Sequence, residues 1–303
     1  MQKAKTKTKA KKAEQLYLSD RRPLTAMGRV MLALSYLLLI LWAVAILWPL
    51  LQMLVSAFNG GQRKYISLTG DFHFSLKHFK FLFEKTYFLI WVKNTLIIAA
   101  SSALLTLLIV SFTGYAYSRY RFSGRKASLM SILLIQAIPV FAGITAYYTM
   151  HSIISAIFPF FTRQALLVLI YAGGGIASNT FILKGYIDSI SSELDDAAHI
   201  DGCSNMQVYR LIIMPIARPM LAIIALWSFI GPFMDYMMPR ILLTNPQSYT
   251  LATGLFTLIN DVRKMNQPAF AAGGLLTAVP IIILFISLQG QLVSGLSQGS
   301  VKG

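Results

Sequence analysis

The sequence predicts an all-α integral membrane protein with six transmembrane helices. Hydrophobic residues make up 56% of its 303 residues and charged residues only 13%, whereas about a quarter of a soluble domain is charged. Six stretches free of Asp, Glu, Lys and Arg are long enough to cross a bilayer core of ~30 Å, which takes about 20 apolar residues. The predicted spans are residues 30–51, 94–118, 127–157, 164–183, 219–234 (extended backward through 211–217) and 269–288.

Basic residues predict the orientation of these spans. Lys and Arg recur through a tail at residues 1–29 and again in the loop at 119–126. Short basic segments stay in the cytoplasm, so the N-terminus is expected there. An even number of six spans returns the C-terminus to the same side. The net charge of +16 would also suit nucleic acid, but its concentration beside the first span favours contact with anionic membrane lipid and no nucleic acid.

The first span is expected to remain as a membrane anchor. Residues 30–54 are longer than the apolar core of a signal peptide, and no small-residue cleavage site follows them. Residues 55–87 then form an external loop. Trp48 and Trp91 lie near its two ends and are expected at the outer membrane interface, where tryptophan is enriched.

The remaining five spans form a core at residues 88–293. The glycine run at 173–175 in the fourth span is expected to permit close helix packing, with a hinge as the alternative. Asp235 follows the fifth span. An acid at membrane depth is unfavourable, so Asp235 is expected to face protein, water or a partner such as Arg240.

A polar segment, residues 188–215, interrupts the hydrophobic second half of the chain. We name it the knuckle, because its pattern predicts two short helices joined by a turn. Two capping pairs mark the helix starts: Ser192 with Asp195, and Ser204 with Gln207. Gly202 lies between them and is expected to end the first helix in a left-handed turn.

The spacing within the knuckle resembles a known family. Asp196-Ala197-Ala198, three residues, Gly202, nine residues and then the sequence at 212–215 resemble the Glu-Ala-Ala loop of membrane subunits in binding-protein-dependent ABC importers. Asp196 replaces the usual Glu and Met214 the usual Leu, which keeps charge and apolar bulk. The resemblance implies a type I ABC importer permease fold, with the knuckle seated in a cleft of an ATPase subunit. It assigns ATPase coupling to Glu193, Asp195, Asp196, Ala197, Ala198, Asp201, Gly202, Met206, Tyr209, Arg210 and Pro215. The acids at 195, 196 and 201 are interpreted as surface groups.

Three other segments resemble permeases of oligosaccharide importers. One is the basic turn at 114–126. Another lies in the external segment 243–271 and resembles the maltose and maltodextrin permeases, in which a loop reaches into the sugar-binding protein; its residues are Ser248, Tyr249 and Thr250. The third lies in a cytoplasmic tail at 294–303 and resembles an ATPase-contacting terminus; its residues are Gly299, Ser300, Val301, Lys302 and Gly303.

The chain is expected to hold no catalytic residue, metal or cofactor of its own. It contains no G-x-x-x-x-G-K-[ST] phosphate loop. ATP and Mg are therefore expected on a partner ATPase dimer. The resemblance, closest to the smaller maltose/maltodextrin permease subunit, adds a homologous second permease, an extracytoplasmic sugar-binding protein and a bacterial cytoplasmic (inner) membrane.

Oligosaccharide import is the implied function. Maltodextrin is the first candidate substrate; galacto-oligosaccharides, raffinose-type sugars and uronic oligosaccharides are the others. Aromatic side chains that could stack on sugar rings in the pathway are Trp227, Tyr147 and Phe181.

Two other functions remain open from the sequence. An ion-coupled secondary transporter normally carries ionisable groups near mid-membrane, and the predicted spans carry almost none. A non-transport membrane scaffold would explain the hydrophobicity but not the spaced motif of the knuckle.

Overall fold

The computed structural model describes residues 25–61, 72–263 and 265–299. Helices dominate these ranges, and their β-pairing is a single isolated bridge between Asn59 and Phe74. The chain divides into two compact units, residues 1–52 and 53–303. Most of the predicted basic tail, residues 1–24, lies outside the described residues.

The first unit is dominated by α1, Ala26–Phe58, which continues into the second unit. Every side chain from residue 29 to residue 51 is exposed. A helix that is apolar on all faces is typical of a membrane span. The predicted first span therefore corresponds to α1, which begins four residues earlier than expected.

The second unit holds eleven further helices among the described residues. They are α2 Lys77–Lys85, α3 Phe88–Arg119, α4 Arg125–Gln136, α5 Ile144–Ile157, α6 Arg163–Asp188, α7 Glu193–Ile200, α8 Asn205–Ile216, α9 Arg218–Met234, α10 Met237–Leu242, α11 Leu251–Phe256 and α12 Gln267–Gly299. α3 packs along α6 and α9, and α9 also packs along α12. A hydrogen bond of 3.0 Å joins the hydroxyls of Thr113 and Thr180 and ties α3 to α6.

Four helices of the described residues are long and apolar enough to cross a membrane: α1, α3, α6 and α12. The bent pair of α8 and α9 counts as a fifth if it forms one span. The helices turn by 76° at the break, so the predicted backward extension of the fifth span through 211–217 is not collinear with it. Pro215 and Pro219 flank this break, and proline cannot donate the backbone hydrogen bond that would continue the helix.

The third predicted span, 127–157, is wrong as a continuous helix. α4 ends at Gln136, a 3₁₀ turn covers Val140–Gly143, and α5 begins at Ile144. Pro139 lies at the break. It lacks a backbone N–H and disfavours helical backbone in the residue before it. Each half is shorter than the about 20 residues that a crossing needs, so the described residues do not form six uninterrupted spans.

Two buried clusters lie towards opposite ends of α3. Phe88 and Trp91 belong to the first cluster, whereas Val110 and Tyr115 belong to the second. At 1.5 Å per residue, Trp91 and Tyr115 are separated by about 36 Å along the helix, comparable to the thickness of a bilayer core. α2 joins the first cluster, where burial lowers the pKa of His78.

Candidate functional site

The first helix of the knuckle, α7, begins at Glu193. The predicted capping pair of Ser192 with Asp195 is wrong, because the Ser192 side chain makes no capping bond and its backbone is already helical. The hydroxyl of Ser191 instead accepts a bond of 3.3 Å from the backbone N–H of Glu193. The Asp195 side chain therefore makes no capping bond and pairs with a residue of α3 instead, as described below.

α7 ends in a left-handed turn at Gly202, where φ is 85°. The Gly202 N–H donates to the His199 carbonyl at 3.0 Å, and the Cys203 N–H donates to the Ala198 carbonyl at 2.9 Å. These are the two bonds of a Schellman motif, which satisfies the last helical carbonyls and favours glycine at the left-handed position. The predicted left-handed turn at Gly202 is confirmed, whereas its assignment to ATPase coupling stays a prediction.

The second helix of the knuckle, α8, begins with the predicted capping box. The Ser204 hydroxyl accepts from the Gln207 N–H, and the Gln207 side chain accepts from the Ser204 N–H at 2.7 Å. The helix then widens into a π-helical turn over Val208–Ile213, where the Met214 N–H donates to the Tyr209 carbonyl five residues earlier. Wider turns of this kind are frequent at functional sites.

A largely desolvated, partly buried ion pair joins the knuckle to the end of α3. Arg119 Nε lies 2.5 Å from Asp195 Oδ2, and the two side chains are 12% and 13% exposed. Arg119 also donates to the Ile190 carbonyl at 3.0 Å. The prediction that Asp195 is a surface acid is therefore wrong. The sequence predicts only a basic turn around Arg119, because an ion pair between residues 76 positions apart has no local signature.

Aromatic side chains form a second connection between α3 and the knuckle. Tyr209 donates its hydroxyl proton to Ser111 at 2.9 Å and stacks on Phe112 with ring centroids 4.9 Å apart. The ring of Tyr115 lies 5.2 Å from that of Tyr209, and its hydroxyl donates to the Asn205 carbonyl at 3.5 Å. The sequence indicates Tyr209 but not its partners Ser111, Phe112 and Tyr115. The spacing of these three residues places them on one face of a helix, which is the sequence signal for a shared contact surface.

The opposite face of the knuckle is open. Of the predicted coupling residues, Ala198 is buried, Asp195, Tyr209 and Pro215 are partly buried, and the exposed ones are Glu193, Asp196, Ala197, Asp201, Gly202, Met206 and Arg210. Two large apolar side chains stand among them, with Ile200 87% exposed and Met206 58% exposed. Apolar side chains surrounded by charges are typical of protein interaction surfaces. We call this set of exposed residues, with Ile200, the docking face.

The other predicted contact region is partly buried, with residues 244–247 exposed and residues 249–251 buried. We call residues 243–256 the tethered segment, because side chains of α3 and α6 bind its backbone; from α6, Gln164 Nε2 donates to the Ser248 carbonyl at 2.9 Å. Tyr249 is 7% exposed and Thr250 is fully buried. The structure thus contradicts their assignment as contact side chains for a binding protein, whereas Ser248 is partly exposed.

Three further hydrogen bonds fix the tethered segment. Trp91 Nε1 donates to the Pro246 carbonyl at 2.8 Å, Asn94 donates to the Tyr249 carbonyl at 3.0 Å, and the Leu251 N–H donates to the Thr95 hydroxyl at 2.7 Å. Trp91 is only 3% exposed, so its ring packs inside the protein and not against lipid, as a residue of an aromatic belt would.

Asp235 does not pair with Arg240. Its carboxylate accepts from the Tyr171 hydroxyl at 2.9 Å and from the Met238 N–H at 3.2 Å. Arg240 donates instead to the Tyr249 hydroxyl at 3.2 Å. The Asp235 carboxylate is therefore stabilised by hydrogen bonds from uncharged donors and not by an ion pair with Arg240.

The predicted pathway aromatics lie on three different helices. Tyr147 on α5 lines a cavity of about 740 Å³ between the broken third stretch and α6. Trp227 on α9 is 66% exposed, and Phe181 on α6 is half-buried. Neither of these two is among the residues that line the cavity. Gly299 is the last residue of α12, and the remaining predicted ATPase-contact residues, 300–303, lie outside the described residues.

Comparisons with known proteins identify the family of this chain. Residues 110–298, which include the knuckle, match the family described as binding-protein-dependent transport system inner membrane component. The chain is 43% identical to the maltodextrin transport system permease protein MdxG of Bacillus subtilis, covering 89% of this chain and 95% of the relative. It is 40% identical to the galactooligosaccharides transport system permease protein GanQ of the same organism, covering 90% and 96%.

A solved structure has the same fold. A chain of a bacterial ABC transporter involved in the import of the acidic polysaccharide alginate superimposes with a TM-score of 0.75 at 19% identity, covering 89% of this chain and 99% of that one. Identity at this level supports the fold alone. The family match and the curated relatives establish membership, and the chain belongs to the binding-protein-dependent transport system inner membrane components.

Proposed function

We propose that the chain is the translocation-pathway subunit of an ATP-driven oligosaccharide importer, with maltodextrin as the first candidate substrate. The observation that carries the proposal is the docking face: most of the family motif is exposed instead of packed against the rest of the chain. The names of the relatives support the substrate class, because they include maltodextrin and galactooligosaccharide permeases.

The proposed assembly supplies what this chain lacks. A homologous second permease completes the pathway, and two ATPase subunits hold ATP and Mg. An extracytoplasmic sugar-binding protein delivers the substrate. The knuckle and both termini face the cytoplasm of a bacterium, in agreement with the basic loop at 119–126.

The structure suggests how the knuckle would transmit motion. The ion pair of Arg119 with Asp195 and the contacts of Tyr209 tie it to α3, which in turn packs along α6 and α9. A displacement of the docking face would therefore move these long helices as a unit. ATPase closure could in this way alternate the pathway between its outward and inward openings.

Ala197 offers a test of docking. It is exposed, whereas its neighbour Ala198 is buried. Ala197→Trp adds bulk to the docking face without entering the core, so co-purification of the ATPase and uptake of maltotriose should both be lost. Ala197→Ser keeps a small side chain and is the matched control, with both readouts expected near wild type.

The outcomes separate this function from its rivals. Undiminished ATPase capture and uptake by Ala197→Trp would contradict docking at this face. Uptake that needs a proton or sodium gradient but no ATP would favour the secondary transporter. A panel of maltotriose, galacto-oligosaccharide and raffinose then identifies the substrate.

A further inference from the structure

The cavity of about 740 Å³ lies between the broken third stretch and α6 and is partly open. On one side it is lined by Gln136, the last residue of α4, and by Tyr147 of α5. On the other side lie Gly173 and Gly174, near the midpoint of the 26-residue α6. The cavity is therefore placed midway along a membrane-spanning helix.

The break itself needs an explanation. Backbone carbonyls that leave a helix at membrane depth find no water in lipid, so irregular backbone is tolerated there only where it is covered by protein or lines a water-filled cavity. Broken helices near the bilayer midplane form the substrate sites of many transporters. The turn at Val140–Gly143 opens between α4 and α5 at the same place as the cavity.

The glycines show that the space is not taken up by packing. A Cβ added at Gly173 or Gly174 would meet no heavy atom within 4 Å. Gly175, by contrast, would place its Cβ 3.5 Å from Thr106 of α3. The predicted packing role of the glycine run thus holds for Gly175, while Gly173 and Gly174 leave room beside the broken stretch.

The lining has the chemistry of a site for a neutral sugar. Gln136 Nε2 donates to the Ser178 hydroxyl at 2.7 Å, so an amide and a hydroxyl stand together in a mostly apolar wall. The ring of Tyr147 adds a flat surface for the C–H face of a pyranose. Among the lining residues none is charged, and a carboxylate would enter without a cation to pair with it.

We propose that this cavity is a sugar-binding subsite of the translocation pathway, contributed by this subunit and selective for neutral oligosaccharides over uronates. The site rests on the proposed function, since it needs an importer that delivers sugar to the membrane. Tyr147 would stack on a sugar ring, and Gln136 with Ser178 would bond its hydroxyls. Gly173 and Gly174 would give the ring its space.

Filling the cavity tests the proposal. Gly174→Leu places a side chain into open space, so the fold should persist while sugar is excluded. Gly185→Leu is the matched control, because Gly185 also lies on α6 with no atom within 4 Å of an added Cβ, and it does not line the cavity. The complete importer, with its binding protein, is reconstituted in proteoliposomes, and maltotriose uptake and ATP hydrolysis are measured.

We expect Gly174→Leu to lower uptake at least about tenfold, the scale of one lost pocket contact. Binding-protein-stimulated ATP hydrolysis should continue, and Gly185→Leu should behave as wild type. Tyr147→Ala should raise the KM for uptake about tenfold, and Tyr147→Phe should restore it because the ring is retained.

Three results would overturn the site. If Gly174→Leu imports maltotriose as well as Gly185→Leu does, the cavity holds lipid or nothing. If it fails to assemble with the second permease, the cavity is a subunit interface. A wild-type complex that hydrolyses ATP but imports no oligosaccharide would overturn the proposed function and the site with it, whereas the first two results leave the proposed function intact.

Discussion

The knuckle and the tethered segment are both polar interruptions that the sequence marks as partner contacts, yet the structure treats them in opposite ways. The knuckle is held by side chains of its own, Asp195 and Tyr209, and leaves its other face exposed. The tethered segment is held by its backbone, which bonds to Trp91, Asn94 and Thr95 of α3. Buried backbone groups require partners. The side-chain donors of α3 that bind the carbonyls of the tethered segment therefore decide that it packs against the protein. The polar composition of the segment does not reveal these donors.

The contrast predicts different vulnerabilities. The stability of the knuckle is expected to depend most on the ion pair of Asp195 with Arg119. The stability of the tethered segment is expected to depend on close packing of Gly254 against the ring of Trp91. Three sets of substitutions separate these contributions, each measured as the free energy of unfolding of the purified protein in detergent.

The largest effect is expected at the ion pair. Arg119→Leu leaves the Asp195 carboxylate partly buried without its cation, and its second oxygen accepts no hydrogen bond from any described residue. Removing one partner of a buried pair typically destabilises by about 3 kcal/mol or more. Lys184→Leu is the control, since its pair with Asp188 is more exposed and should cost below about 1 kcal/mol.

A double variant sharpens this result. Replacing Arg119 and Asp195 together by leucine removes both charges, so its loss should be smaller than the sum of the two single losses. Strict additivity would mean that the two side chains do not stabilise each other.

An intermediate effect is expected in the tethered segment. A Cβ on Gly254 of α11 would lie 2.1 Å from Cδ2 of Trp91. Gly254→Ala must therefore displace the indole that binds the Pro246 carbonyl, and overpacking of this kind costs about 1–3 kcal/mol. Gly290→Ala, where an added Cβ meets nothing within 4 Å, is the control and should be neutral or stabilising. Equal stability of the two variants would show that the indole can move freely.

The smallest effect is expected at the turn of the knuckle. Gly202 has room for a Cβ but sits at a φ of 85°, so Gly202→Ala should cost about 1 kcal/mol through backbone strain. Gly185→Ala, in regular helix, should instead stabilise by about 0.5–1 kcal/mol. A stabilising Gly202→Ala would indicate that the turn relaxes in solution. Gly202→Ala changes the shape of the turn but fills no packed space. It should therefore lower the rate of ATP-coupled uptake even where the free energy of unfolding changes by only about 1 kcal/mol.

Local chemistry made much of the fold and site predictable. The capping box of Ser204 with Gln207 and the turn at Gly202 depend on neighbours within a few residues, and both were predicted correctly. Ser192 failed as a cap because its backbone is already helical, so the Asp195 N–H donates to the Ser192 carbonyl, while the Asp195 carboxylate pairs with Arg119 of α3. The third span failed because Pro139 interrupts the helix within an apolar stretch. The pairing of Asp195 with Arg119 depends on tertiary contact, whereas the break at Pro139 has a local signal that apolar length alone does not include.

The sequence by itself determined that the chain lies in a membrane, where the motif-bearing knuckle falls, and which family it resembles, because hydropathy, capping and motif spacing act over short distances along the chain. Only the tertiary structure decided that Tyr249 and Thr250 are buried, that Asp195 is paired, and that a cavity opens beside Gly174. Those outcomes depend on which helices meet. Ion pairs, backbone bonds and open space between helices arise from residues far apart in the chain.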